Sequence, residues 1–190
     1  MSYFLKVCDL RKQIANKDLV VKAKPGYYRW WFSIDGVTQL LEPLGGLSSF
    51  QNLGEMEFDG KKYFALYIGI AVHNGGLKER IKWHVSQKHT RSSVKSNYIS
   101  TLRKTLSGIL CAETPDQSEK TVNDFMDTHC VWEWEYSSNA KAIEKLELSS
   151  GAKYVYPLNI FENEGVSKDV KEKLKSLRQQ FKNNFLKNCK

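Results

Sequence analysis

The segment Tyr63–Val72 constrains the fold more than any other. It is ten residues of almost unbroken apolar sequence, YFALYIGIAV. A bilayer span needs about 20 such residues, so this run is too short to cross a membrane. It does not alternate polar with apolar, as a strand with one wet face would. It is therefore expected to be a central strand covered on both faces. A second β-prone run, Tyr27–Ile34 (YYRWWFSI), follows the breaker Lys24-Pro25-Gly26. Cys130–Tyr136 alternates, with Trp132, Trp134 and Tyr136 on one face and Val131, Glu133 and Glu135 on the other, the pattern of a half-buried strand.

Helical periodicity fills the intervals. Leu77, Ile81 and Val85 recur after a glycine break, and Ile99, Leu102, Leu106 and Ile109 or Leu110 repeat the pattern. Asn139 to about Leu148 reads as a helix that stops near Ser149-Ser150-Gly151. Val166, Val170, Leu174, Leu177, Phe181 and Phe185 form the apolar stripe of a basic C-terminal helix. A short helix is expected around Leu10–Leu19, and Thr114–Glu119 reads as a polar loop. Asp35-Gly36 carries a turn signal, and residues 41–60, with Pro43, Gly45, Gly46, Gly54 and Gly60, read as an irregular insertion. The predicted architecture is α+β: a small central antiparallel or mixed β-sheet flanked by helices, with a long hairpin insertion and an amphipathic C-terminal helix.

Composition excludes several classes. Apolar residues make up 41% of 190 and aromatics 12%, which rules out disordered, collagenous and coiled-coil chains. Lys6, Asp9, Arg11 and Lys12 interrupt any apolar leader, so the expectation is a soluble, cytoplasmic protein. Cys8, Cys111, Cys130 and Cys189 lack paired spacing and are expected to be small neutral thiols rather than disulfides or a zinc site with His129.

Charge divides unevenly along the chain. The net charge is +8, but residues 76–110 carry +7, residues 111–165 carry −7 and residues 166–190 carry +6. In the first basic block Lys78, Arg80, Lys82, Lys88, Arg91, Lys95, Arg103 and Lys104 are interleaved with Trp83, His84, His89 and Tyr98. Cations among aromatics and polar side chains suit a nucleic-acid backbone, where neutralised phosphates release counterions. A solvated helix face gives the same pattern.

Several side chains could carry chemistry. Tyr28 and Tyr67 sit on two neighbouring strands and offer two phenols, or two core aromatics. Arg80 and His84 are four apart on one helix: a phosphate grip and a proton acceptor, or a surface pair. Glu144 in AKAIEKLEL is a metal ligand or an exposed helical carboxylate.

Taken in order, these residues resemble the GIY-YIG nuclease superfamily. Gly26-Tyr27-Tyr28 stands where that family has Gly-Ile-Tyr, and Tyr67-Ile68-Gly69 is its second triplet. Leu77-Lys78-Glu79-Arg80 matches the surroundings of the family's arginine, and His84 the histidine one turn later in some branches. Ala140-Lys141-Ala142-Ile143-Glu144 matches the glutamate pattern, with Glu147 a competing choice, and Pro157-Leu158-Asn159 the closing Pro-x-Asn. The segment between the triplets, Arg29 to Leu66, is much longer than the family's short hairpin.

The resemblance implies a domain over residues 24–160 with an insertion at about 35–62, an N-terminal extension over 1–23 and a basic C-terminal helix over 161–190. It implies a divalent-metal-dependent DNA endonuclease, restriction-like, using Mg²⁺ or Mn²⁺ on double-stranded DNA, as a homodimer if both strands are cut. Glu144 would hold the metal. Tyr28, Tyr67, Arg80, His84 and Asn159 would complete the catalytic set. Lys78, Lys82, Lys88, Arg91, Lys95, Arg103 and Lys104 would contact nucleic acid. The competing readings are a non-catalytic nucleic-acid-binding module, a repair or RNA-processing nuclease that needs a partner, and a protein whose basic patches bind an acidic partner.

Overall fold

The computed structural model describes every residue except Asn74, Ala112, 161–163 and 189–190, with Ala140 known by its backbone alone. Cys189 lies outside the described residues. The elements are β1 (Tyr3–Lys6), α1 (Val7–Asn16), β2 (Gly26–Ser33), α2 (Ile34–Leu41), β3 (Gly54–Phe58), β4 (Lys61–Ala71), α3 (Gly76–Ser86), α4 (Arg91–Lys95), α5 (Thr101–Leu110), α6 (Ser118–His129), β5 (Cys130–Tyr136), α7 (Ala140–Lys153) and α8 (Lys168–Asn188). Short 3₁₀ turns join several of them. The fold is α+β, as the periodicity predicts. The five strands lie in the order β1-β5-β2-β4-β3, with every pairing antiparallel.

The central strands β2, β4 and β5 are dry on both faces, which explains why β4 does not alternate. One face sets Tyr28, Trp30, Phe32, Leu66, Tyr67 and Trp132 against helices that contribute Leu10, Leu40, Leu77, Ile81, Leu106 and Phe181. The other face gathers Tyr27, Trp31, Ala65, Ile68 and Val131 under Ile143 of α7 and Tyr156. β5 is therefore buried on both sides rather than half-buried. Glu133, on what the sequence presents as a polar face, is 1% exposed. Arg29 donates to both of its carboxylate oxygens at 2.7 Å, and Trp31 Nε1 donates at 2.8 Å. A charge can be buried there because it is paired and hydrogen-bonded.

A bulge shapes β4. Trp30 pairs Tyr67 and Trp31 pairs Ala65, so Leu66 is an extra residue opposite β2. Leu66 and Tyr67 consequently both enter the first core. β3 pairs β4 only as far as Ala65, which leaves the outer edge of β4 bare beyond that point. Residues 158–159 close it. Leu158 N–H donates to Leu66 O at 3.0 Å, and the Asn159 side chain bonds both the N–H (2.9 Å) and the C=O (3.0 Å) of Ile68.

The structure corrects several local expectations. Asp35-Gly36 is not a hairpin turn: it lies in the first turn of α2, where the Ser33 side chain accepts from Gly36 N–H and His129 packs against Gly36. The segment 118–129 is helix α6, whose first two residues fall in the expected loop Thr114–Glu119 and the rest of which the sequence left without an element. It is polar except for an inward face of Val122, Phe125 and Met126. Ser149-Ser150-Gly151 does not end α7, which runs on to Lys153. The chain also starts with a strand, and α1 begins at Val7 rather than near Leu10.

Candidate active site

Two glycines let the site assemble. Gly26 and Gly69 are where strand backbones and side chains come closest. A Cβ on Gly26 would stand 2.2 Å from Glu135 O and 2.4 Å from Leu77 Cδ1. On Gly69 it would stand 2.5 Å from Tyr28 Oη and 2.7 Å from its Cζ. Real side chains do not approach so closely. The Tyr28 ring therefore lies across the space that a side chain at 69 would occupy.

That placement puts the Tyr28 phenol against α3. Tyr28 Oη and His84 Nε2 are 3.0 Å apart in a buried hydrogen bond. The imidazole is caged by three rings, those of Tyr28, Trp30 and Tyr67, with centroids at 5.5, 5.5 and 6.0 Å and edge-on geometry. Tyr67 lies close enough for each phenol to act on the ionisation of the other. Burial, reinforced by the like charges of Arg80 and Arg103, drives the His84 pKa well below the usual value. The ring is neutral at physiological pH. Its Nδ1 is buried without a hydrogen-bond partner.

Both phenols are held in their protonated form. Burial raises Tyr28 well above the ordinary tyrosine value, Tyr67 and Glu147 add to the shift, and Arg80 opposes it. Tyr67 is raised by burial and by Glu147, against the pull of Arg80 and Arg178. Two tyrosines, one neutral histidine, three arginines and one carboxylate are thus linked electrostatically. Arg80 also lies over the Trp83 ring, with Cζ 5.1 Å from its centroid. It lines a cleft of 520 Å³ together with His73, Lys82, Gln87 and Tyr98.

A family-level comparison decides the class. The model of the GIY-YIG catalytic domain matches residues 26–180, from Gly26 on β2 into α8. The chain belongs to the GIY-YIG family. Its nuclease-type fold follows from that membership. Neither a curated protein nor a solved structure matches it.

Of the GIY-YIG residues expected from the sequence, Tyr28, Tyr67, Arg80 and His84 converge as described. Asn159 commits both amide atoms to the backbone of Ile68, the residue after Tyr67. Glu144 is exposed on α7, one residue after the buried Ile143. Glu147 is half-buried, and its charge reaches both tyrosines. Helical spacing carries the signal: Glu147 lies four residues after Ile143 and so shares its inward face, whereas Glu144 is turned about 100° from it.

A divalent cation fits this donor set. One half-buried carboxylate, Glu147, leaves coordination positions for waters and phosphate oxygens, which is how Mg²⁺ is usually held. Among the described residues no group of three metal-binding side chains exists that would suit a closed structural site.

The expected nucleic-acid contacts separate into two sets. Lys88 and Lys95 are exposed, Lys78 and Lys104 are half-buried, and Lys82 pairs with Glu79 at 2.9 Å. Arg91 donates to Leu186 O at 2.6 Å. Arg103 is a correction: it is fully buried and touches no surface. Its Nε donates to His89 Nε2 (3.0 Å) and its Nη1 to His84 O (3.2 Å) and Asn123 Oδ1 (2.9 Å). It braces the C-terminal end of α3 from inside, and burial lowers its pKa to about 10.

Arg178 is a site residue that the sequence did not single out. It reaches from α8 to donate to Thr105 Oγ1 on α5, at 2.9 Å from its Nε, and its charge acts on Tyr67. With Lys104, Lys175 and Lys182 it lines a second cavity, of 310 Å³. The available signal was its position at the border of the α8 apolar stripe, beside Leu177 and four residues after Leu174.

Proposed function

We propose that this chain is a divalent-metal-dependent DNA endonuclease that hydrolyses phosphodiester bonds at the Tyr28–His84–Arg80 cluster. The observation that carries the reading is the buried hydrogen bond between Tyr28 Oη and His84 Nε2 in the shared field of Arg80 and Glu147. A phenol and a neutral imidazole in contact form a proton path. As a water attacks phosphorus, Tyr28 Oη takes its proton and passes its own to His84 Nε2. This requires the tautomer with the proton on Nδ1 and the lone pair on Nε2. The arriving phosphate offsets the cationic field of Arg80 and Arg103, which makes a protonated His84 more favourable than in the free protein.

Arg80 holds the scissile phosphate and stabilises the charge that builds on its oxygens. Tyr67 fixes the Tyr28 hydroxyl, and the departing 3′ oxygen takes its proton from solvent. Glu147, in preference to Glu144, would hold the cation, which when bound would supply charge stabilisation at the phosphoryl and leaving oxygens. Lys78, Lys82, Lys88, Lys95 and Lys104 offer the backbone-binding face on one side, and Lys175 and Lys182 extend it along α8.

The test is cleavage of supercoiled plasmid with Mg²⁺ by wild type, Arg80→Ala, Glu147→Gln and Glu144→Gln. Metal-dependent nicking lost in the first two variants and kept in the third supports the reading. Discrete bands identify a restriction-like enzyme, and a smear a less specific one. Salt-sensitive DNA binding without cleavage in any metal sinks it in favour of a binding module.

A further inference from the structure

The 520 Å³ cleft beside Arg80 is not needed for the proton path. It is lined by Trp83 on its α3 side and by Tyr98 across from it. Tyr98 is 69% exposed, yet its place is fixed. The Gln87 side-chain amide, just after α3, clamps the segment: Nε2 donates to Tyr98 O, and Oε1 accepts from Ser100 N–H at 2.7 Å. The Tyr98 ring therefore stands 6.1 Å from that of Trp83, centroid to centroid, tilted by 34°. Arg80 and Lys82 bring cations to the same cleft, and Glu79, its carboxylate lining residue, is paired with Lys82.

An exposed aromatic ring held at a set angle above a second ring is a stacking platform. Base–aromatic stacking is sequence-tolerant, because every base has a π face. The neighbouring cation supplies the phosphate contact that such platforms carry alongside. Arg80 Cζ lies 5.1 Å from the Trp83 ring centroid, so phosphate grip and platform are one nucleotide apart at most. The cleft falls in the size range of a small-molecule site and is large enough for a nucleobase.

We propose that this cleft binds a single unpaired nucleobase of the substrate, that of the nucleotide flanking the phosphate held by Arg80, with Tyr98 and Trp83 as its stacking surfaces. The proposal rests on the nuclease reading and adds to it that the strand is locally unstacked at the cut. Base removal from a duplex costs a few kcal/mol and least where pairing is already weak. The enzyme therefore favours cut positions at mismatches or frayed steps over the same sequence fully paired.

The test combines kinetics and crosslinking on an oligonucleotide with a mapped cut. Tyr98→Ala is expected to raise KM by about tenfold to a hundredfold with kcat changed much less, the loss of one stacked base. Tyr98→Phe, which keeps the ring, restores the KM. Because Tyr98 is exposed, its variants are expected to keep the thermal midpoint of wild type, which separates lost contact from lost fold. In the second arm, 5-iododeoxyuridine is placed beside the cut and the complex is irradiated without divalent cation, so that the strand stays whole. A crosslink mapping to Trp83 or Tyr98, and absent when the label sits several nucleotides away, supports the proposal. Unchanged KM in Tyr98→Ala, or crosslinks spread over other residues while wild type cleaves and Arg80→Ala does not, overturns it and leaves the nuclease reading intact. Failure of wild type to cleave any DNA removes both.

Discussion

The Tyr28 phenol occupies the space that a side chain on Gly69 would need, with Oη only 2.5 Å from the position of a Cβ there. The glycine of one triplet thereby sets the position of the tyrosine of the other. Tyr28 is 2% exposed and cannot swing aside. Gly69→Ala is therefore expected to cost about 1–3 kcal/mol of stability through overpacking. It also moves the phenol off His84, and a displacement of about 1 Å at a reacting group costs on the order of a hundredfold in rate. Plasmid cleavage at saturating substrate and thermal unfolding of the same preparation check both. A variant of wild-type activity would break the link between Gly69 and catalysis.

The buried pair on the opposite face gives a second expectation. Glu133 accepts from both Arg29 and Trp31. Glu133→Ala leaves the guanidinium and the indole N–H without their acceptor and is expected to cost about 3–5 kcal/mol in urea unfolding. The double variant Arg29→Met/Glu133→Leu, with no charge left, loses much less. Equal losses in the two would show that volume, not charge, dominates.

Acid sensitivity should start well above the carboxylate range. His89 receives a hydrogen bond from Arg103 on Nε2, so its Nδ1 carries the proton and donates to Ser118 Oγ at 2.8 Å. Burial, with the Arg103 charge, lowers its pKa to about 3, and His84 is shifted in the same direction. In the unfolded chain both titrate near 6.5. Stability is thus fully present above about pH 6.5 and falls as the unfolded state takes up protons that the folded state refuses, down to about pH 3 for His89. Each histidine contributes a slope of about 1.4 kcal/mol per pH unit in that window. Urea midpoints between pH 7 and pH 5 measure it. His89→Gln, uncharged throughout, should flatten the curve, and an unchanged slope would assign the effect elsewhere.

Asn159 is expected to act on stability rather than chemistry. Asn159→Ala removes two hydrogen bonds and strands the N–H and C=O of Ile68. The expected cost is about 1–3 kcal/mol, with kcat per folded molecule little changed. Loss of kcat in a variant that keeps its unfolding midpoint would instead make Asn159 a participant in the reaction.

The elements most legible in the sequence were those whose periodicity is set by burial alone. β2, β4, α3, α5 and α8 declare themselves through apolar spacing, and the triplets and Arg80 fix the class. What stayed hidden depended on partners distant in sequence. Glu133 reads as solvent-facing until Arg29 is placed across from it. Arg103 reads as a surface cation until His89 and Asn123 surround it. Asp35-Gly36 has the composition of a turn, but the preceding Ser33 caps a helix there, and packing against His129 overrides the local signal. The choice between Glu144 and Glu147 was open because a five-residue motif fits one while the inward face of α7 carries the other.

The closure of β4 by residues 158–159 also bears on solubility. Beyond Ala65 a central strand rich in Tyr, Ile and Ala would otherwise show an unpaired row of amides and carbonyls, a template for strands of other molecules. A single side-chain amide, mimicking the backbone it faces, occupies that row at Ile68. Molecules with this latch lost are therefore expected to associate edge to edge at high concentration before they unfold, so that aggregation, and not loss of cutting, is the first sign of damage at the closing segment.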